Sequence, residues 1–564
     1  MPAEKEGSSV MTYGILNDYK ELDLPVREGK VQEEVRMIPM RDGMKMKTHI
    51  FHMEEDSLEG GQKQYSVILQ RSPYVHAAHV YRTHGEQLAK RGFVYVIQWC
   101  RGVGGSEGIW NPNENERDDG LDTVNYFAAL YWVKNIGFWG DSYLALTGWC
   151  MADAVPDKVK GMYLGVYGTD RFCSMYEKGL FRHDVFTSWA MENAGVPITA
   201  DYRESCCYRP HYEVDESLWG VKLPWYREWV SAVREKDSYW QEGFWKMLRE
   251  MPEKVKIPVY IREGWYDHHL GSAVKSYEAL CETAKQNSTL QIGCWNHHYE
   301  NVLEWCKAEN LQCSEVKSMV KWFQEVLLEE KLPEGGVDIY MIGADCWIRK
   351  KKWPLNIWKV KKLYLSGGLR LTSKEGRAEE IYEYEYDPYD PVDSYGAEAM
   401  LHDLKKAGSL YQPDPNYRSD VISFISEPLE KDFDVVGKIK VHLTVSSDCR
   451  DTAFTAKLME EVEDGKYVNI RSSITTILAE GAGENYRPGD RVRVCVDMWD
   501  IAWKLKKGHR LRLDISSSDF PQYALHSNYS GVWSRQIRCR TAHQRIFAGG
   551  ENSWVELPLV QENQ

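Results

Sequence analysis

The segment Gly137-Phe-Trp-Gly-Asp-Ser-Tyr-Leu-Ala-Leu146 is apolar up to Gly140, and an apolar run, Tyr143 to Trp149, starts directly after Ser142. This reads as a buried strand that turns at once into a helix. Such a turn projects its residue out of the sheet, next to the free N–H groups of the helix start. The sheet it implies is covered on both faces, and Gly92-Phe-Val-Tyr-Val-Ile-Gln98 has the near-continuous apolar character that such a strand requires. Trp265-Tyr-Asp267 closes a second predicted strand and Gly293-Cys-Trp-Asn-His297 a third.

Ser, Asp and His in that chain order, each at a strand end, is the α/β-hydrolase arrangement. A serine hydroxyl is a weak nucleophile and needs a base. His297 is the candidate that takes the Ser142 proton during attack and returns it to the leaving group, with Asp267 orienting the ring. Asp141 is too close to Ser142 along the chain to reach the far nitrogen of the histidine. Asp118 and Asp119 are expected to cap the helix that follows them. The negative oxygen of a tetrahedral intermediate needs fixed donors, and the backbone N–H of Tyr143, directly after the nucleophile, is one.

The remaining segments set the organisation. Residues 1–34 are polar and read as a loosely attached leader. Asp42-Gly43 suits a hairpin turn, and Tyr65 to Gln70 is a short apolar strand. Asp118 to Leu130 carries Leu121, Val124 and Ala128 at helical spacing. Between Thr169 and Glu253 no clear strand is expected. Trp189, Trp219, Trp225, Trp229, Trp240 and Trp245 fall there in segments of helical character. The α/β pattern resumes at Val255 to Tyr260 and at Thr289 to Gly293, and a helix from Glu315 to Leu328 closes it. After Leu332-Pro-Glu-Gly-Gly336 the period drops towards two, as in Lys438 to Thr444 and Arg510 to Ile515, with turns at Glu463-Asp-Gly465, Pro488-Gly-Asp490 and Lys507-Gly508. That is the pattern of a β-sandwich.

These motifs resemble the CocE/NonD serine hydrolases, the family of cocaine esterase and X-prolyl dipeptidyl-peptidase. Its elbow, Gly-x-Ser-Tyr-x-Gly, is similar to Gly140-Asp-Ser142-Tyr143-Leu-Ala145. Its acid and histidine segments resemble Gly264-Trp-Tyr-Asp267 and Gly293-Cys-Trp-Asn-His297. Met40-Arg-Asp-Gly43, Arg71-Ser-Pro-Tyr74, Arg101 to Gly108, Asp451-Thr-Ala-Phe454 and Gly508 to Arg512 extend the likeness over about residues 35 to 560. The resemblance implies an α/β-hydrolase domain over 35–168 and 254–330, an inserted helical cap over 169–253 and a C-terminal jelly-roll β-sandwich over 331–564. It also implies that the Tyr74 hydroxyl is the second oxyanion donor and that His297, not His298, is the base. Ala145, Cys294 and Trp99-Cys100 depart from the family pattern. No acidic residue follows Tyr74, where Val75-His76 stands, which disfavours an amine-binding carboxylate cluster near that loop. Glu107, Glu192 or Glu263 remain as sources of one.

The expected activity is that of a serine esterase or amidase acting on small molecules, with an acyl-enzyme on Ser142. An X-prolyl dipeptidyl aminopeptidase taking short peptides is the alternative, and an inert binding protein is the reading from another class. No cofactor and no metal are expected. There is no His-Glu-x-x-His, and the neighbours in His268-His269 and His297-His298 would point apart. A formal net charge of -14 argues against nucleic acid as a partner. No stretch approaches 18 apolar residues, so no membrane span is expected. Thirteen scattered cysteines and the absence of a secretory pattern point to reduced thiols in the cytoplasm. Self-association is left open.

Overall fold

The computed structural model describes residues 14–58, 60, 62–376, 378–479 and 485–561. A ten-stranded sheet carries the first part of the chain. Its first six strands in chain order are β1 (Val31–Pro39), β2 (Lys45–Met53), β3 (Tyr65–Ser72), β4 (Phe93–Trp99), β5 (Val133–Asp141) and β6 (Val159–Gly165). The spatial order is β1-β2-β4-β3-β5-β6, continued by Val259–Gly264, Thr289–Gly293, Gly336–Met341 and Cys346–Lys350. From β4 to Gly336–Met341 the pairing is parallel. Helices therefore cross over the faces, and β3 and β4 are buried along their whole length. This is an α/β-hydrolase-like fold. The Asp42-Gly43 turn joins the antiparallel pair β1 and β2, with Gly43 at φ +90.

Four expectations differ from the structure. Residues 14–20 are not loose: they are helical, and Tyr19 is fully buried with its hydroxyl 3.0 Å from His84 Nδ1. Ile15 and Tyr19 on this helix and Leu22 just after it pack into one cluster from a polar stretch, and β1 begins at Val31. Residues 1–13 of the expected leader lie outside the described residues. Second, the strand expected at Val255 runs instead from Val259 to Gly264, since Pro258 has no N–H to give a ladder. Third, the first sheet continues past residue 330. Leu332-Pro-Glu-Gly-Gly336 is the turn into a further strand pair, not the sheet's end. Fourth, Asn115 precedes the helix Glu116–Ala129, so Asp118 and Asp119 lie inside its first turn. Their carboxylates meet Arg41 at 2.8 Å and Arg101 at 2.6 Å.

Residues 171–249 form short helices and one two-stranded hairpin, Tyr176–Glu177 with Leu180–Phe181. Several of their tryptophans are core: Trp229 and Trp240 are each 1% exposed. From Lys359 to Leu559 an eleven-stranded sheet builds a β-rich domain. It is fastened to the rest by buried polar contacts. Arg182 donates to Glu398 at 2.6 Å, and the Tyr266 hydroxyl donates to the carbonyl of Ile470 at 3.1 Å. Among the described residues no helix is long and apolar enough to cross a membrane.

Candidate active site

β5 ends at Asp141 and the helix Tyr143–Trp149 starts two residues later, leaving Ser142 alone in the turn at φ +54, ψ -122. A non-glycine residue with positive φ is strained, and the neighbours must make room for it. A Cβ on Gly140 would lie 2.4 Å from the Leu144 carbonyl, and one on Gly165 would lie 2.0 Å from the Tyr299 hydroxyl. The Ser142 N–H donates to the carbonyl of Gly165 on β6 at 3.0 Å, which holds the turn against the sheet.

The loop after Val259–Gly264 carries Asp267, fully buried, and the loop after Thr289–Gly293 carries His297. His297 Nδ1 lies 2.5 Å from Asp267 Oδ2 and its Nε2 lies 3.0 Å from Ser142 Oγ. A carboxylate only accepts, so Nδ1 carries the proton and Nε2 is free to accept from the serine hydroxyl. Asp267 Oδ1 accepts the backbone N–H of His269 at 2.6 Å, so both carboxylate oxygens are held. Asp141 is turned away, accepting from the Tyr299 hydroxyl at 2.5 Å and from Trp139 Nε1 at 3.2 Å. The structure thus brings Ser142, Asp267 and His297 together. It leaves His298 aside, its N–H donating to Asn296 Oδ1, and His183 hydrogen-bonded to Thr187.

Tyr74 lines the same cavity as Ser142. Trp189 Nε1 donates to the Tyr74 hydroxyl oxygen at 3.1 Å, which leaves the phenolic hydrogen free to donate. Burial raises the Tyr74 pKa well above the usual tyrosine value, so at neutral pH it keeps that hydrogen. The backbone N–H of Tyr143 is in the first turn of its helix, where amides have no intrahelical acceptor. The Tyr143 side chain is anchored separately. Its hydroxyl donates to Glu116 Oε1 at 3.0 Å and accepts the Asn113 N–H at 2.9 Å. Glu116 is in turn paired with the buried Arg71 at 2.8 Å. The Trp189 contact was missed in the sequence, because nothing local links position 189 to position 74.

His268 and His269 also line the cavity, and burial holds both well below the usual histidine pKa, hence neutral. Leu401, from the β-rich domain, forms part of the wall. The free space in this partly open cavity is about 30 Å³. Larger clefts lie elsewhere, one of about 900 Å³ beside Tyr176 and Lys275. Glu107, Glu192 and Glu263 do not line the site cavity, and no Asp or Glu does. Glu263 sits behind it, accepting the Gly264 N–H at 2.9 Å. Burial first, and then the Asp267 charge, raise its pKa well above the carboxylate range. Among the described residues, Asp267, His268 and His297 place ligand atoms within 4.8 Å of one another. Asp267 and His297 already spend theirs on each other, so the group suits proton transfer better than a cation.

Two family models match in order along the chain. That of X-Pro dipeptidyl-peptidase (S15 family) covers residues 42–299, and that of the X-Pro dipeptidyl-peptidase C-terminal non-catalytic domain covers residues 329–554. Cocaine esterase from Rhodococcus sp. (strain MB1 Bresler) is 26% identical over 577 residues, covering 93% of this chain and 98% of the relative. Two solved structures share the fold closely. An aminopeptidase from the marine sediment archaeon Thaumarchaeota archaeon has a TM-score of 0.80 at 19% identity, covering 96% of this chain and 99% of that one. An α-amino acid ester hydrolase has a TM-score of 0.79 at 21% identity, covering 94% and 97%. A CocE/NonD family hydrolase from Staphylococcus aureus has a TM-score of 0.62 at 15% identity, covering 96% and 99%. With a catalytic-domain match and a C-terminal match together spanning most of its length, the chain belongs to the X-Pro dipeptidyl-peptidase (S15) and CocE/NonD family of hydrolases.

Proposed function

We propose that the protein is a serine esterase or amidase that cleaves small acyl substrates through an acyl-enzyme on Ser142. The observation that carries this reading is His297, hydrogen-bonded to Asp267 on one side and to Ser142 on the other. In the acylation step Ser142 Oγ bonds to the acyl carbon while Nε2 takes its proton. The tetrahedral oxygen is met by the Tyr143 N–H and the Tyr74 hydroxyl, and the proton passes to the leaving group as the scissile bond breaks. Water then repeats the sequence to release the acid. The match to a cocaine esterase supports ester cleavage. A dipeptidyl-peptidase must hold a protonated α-amine, and a cavity without a carboxylate offers that cation no partner.

One experiment tests this. A fluorophosphonate probe should label Ser142 under native conditions, and kcat/KM on p-nitrophenyl butyrate should exceed that on an alanyl-prolyl p-nitroanilide. An unlabelled serine would remove the hydrolase reading. A preference for the anilide would replace the esterase with an exopeptidase. The oxyanion assignment has its own test. Tyr74→Phe should lower kcat on the ester by about 10²- to 10³-fold, with KM little changed, because the donor acts on the transition state. Normal turnover in that variant would put the second donor elsewhere.

A further inference from the structure

We infer that the acyl pocket takes an anionic acyl group, the free carboxylate of a half-ester or half-amide of a short dicarboxylic acid, seated on Arg171. The inference deepens the reading of Ser142 as nucleophile and rests on it. Arg171 opens the helix Arg171–Met175 and is 9% exposed, and it lines the cavity that Ser142, Tyr74 and His297 line. Its guanidinium lies over the Phe186 ring at 4.4 Å and the Trp229 ring at 5.0 Å. Aromatic faces cover the plane of a guanidinium and leave its edge of N–H donors unserved. Nε is buried with no acceptor. The adjacent carboxylate, Asp170, is taken by Lys275 at 2.8 Å.

Other deeply buried arginines here each hold at least one oxygen partner. Arg71 pairs with Glu116 at 2.8 Å, Arg182 with Glu398 at 2.6 Å and Arg512 with Asp514 at 2.6 Å. Arg262, without a close carboxylate, donates to the carbonyls of Gln312 and Cys313. Among the described residues Arg171 has neither kind of partner. Burial also pulls its pKa below the usual arginine value, a cost that a bound anion would offset. A second donor waits beside it. The Tyr167 hydroxyl lies buried in the same cavity, next to the Arg171 guanidinium. A carboxylate accepts from a guanidinium in two parallel hydrogen bonds, which matches an open N–H edge.

Ser142 and Arg171 line one cavity, so the two ends of one acyl chain would meet both. For an ethyl half-ester the chemistry balances as follows. Ser142 Oγ bonds to the acyl carbon, the bond to ethoxide breaks, and the serine proton leaves through His297 as ethanol. Water then cleaves the acyl-enzyme, and a dicarboxylate leaves with one more proton released. The carboxylate on Arg171 takes no part in bond making.

The test compares monoethyl succinate with ethyl butyrate, which differ by a carboxylate in place of a methyl group, by proton release at constant pH. The wild-type protein should favour the anionic ester at least tenfold in kcat/KM. In Arg171→Met the ratio of the two should fall about 100-fold, the size expected when one partner of a buried charged pair is removed. In Arg171→Lys, which keeps the charge but not the fork, the ratio should fall less. Equal or better use of ethyl butyrate by the wild type overturns the inference, as does an unchanged ratio in Arg171→Met. If the Met variant does not fold, the wild-type ratio and Arg171→Lys decide. Fluorophosphonate labelling of Ser142 separates the two levels. A labelled protein without anion preference refutes this inference alone, while an unlabelled and inactive one refutes the hydrolase reading with it.

Discussion

Ser142→Ala is expected to lower kcat on an ester by about 10⁶-fold while leaving the fold intact. The size follows from what remains in the cavity. Tyr74 and Tyr143 are phenols whose pKa values burial raises well above the usual range, so neither ionises to replace the serine. His297 would retain its bond to Asp267 and could only activate water, without the covalent step that divides the reaction in two. Residual turnover of about 10³-fold over water should persist from the oxyanion donors. Ser142→Ala combined with His297→Ala should cost little more than Ser142→Ala alone, because the pair acts as a unit. Alanine keeps the Cβ that the turn at φ +54 already accommodates, so the circular dichroism spectrum should not change. Turnover within tenfold of wild type, in protein purified free of contaminating esterase, would end the assignment of Ser142 as nucleophile.

The site was legible in sequence to the extent that its parts are local. Ser142, Asp267 and His297 each close an apolar strand within a few residues, so the order of motifs survives without knowing how the strands pair. Pairing does the rest: β6 and Val259–Gly264 lie side by side in parallel and bring the loops to one edge. What was illegible depends on distant partners. Trp189 reads as one of many cap tryptophans, and only the fold sets its N–H on Tyr74. Arg171 has no local motif to mark it, and only the fold packs Phe186 and Trp229 around it. Glu263 reads as a possible amine ligand, yet its strand turns it behind Asp267, away from the cavity. Boundaries failed for a related reason. Pro and Gly mark turns, and the turn at Leu332-Pro-Glu-Gly-Gly336 leads back into the same sheet. Ile15, Tyr19 and Leu22 are too few to stand out from their polar surroundings, although Arg91 donates to the Tyr19 carbonyl at 2.5 Å and fixes it in place.

Asp267→Asn is expected to lower kcat by about 10⁴-fold with substrate binding largely kept. The reason lies in the two donors that the carboxylate holds. Oδ2 accepts from His297 Nδ1 at 2.5 Å, and Oδ1 accepts the His269 N–H at 2.6 Å. An asparagine has one acceptor oxygen and one donor group, so it can serve only one of them. If its oxygen stays with His269, its NH₂ faces Nδ1, the histidine proton moves to Nε2, and Nε2 can no longer accept from Ser142. If its oxygen turns to His297, the NH₂ opposes the His269 N–H and the loop must shift. His268 gives no relief, since burial keeps it neutral. Glu263 is placed to blunt the loss. It lies behind Asp267, and after burial the Asp267 charge is the largest cause holding its pKa up. Removing that charge lets Glu263 ionise more readily and supply a negative charge near His297. Turnover of Asp267→Asn should therefore fall further when Glu263→Gln is added. A single variant that keeps more than one-hundredth of wild-type kcat, and a double variant no worse, would show that Asp267 does not orient the base.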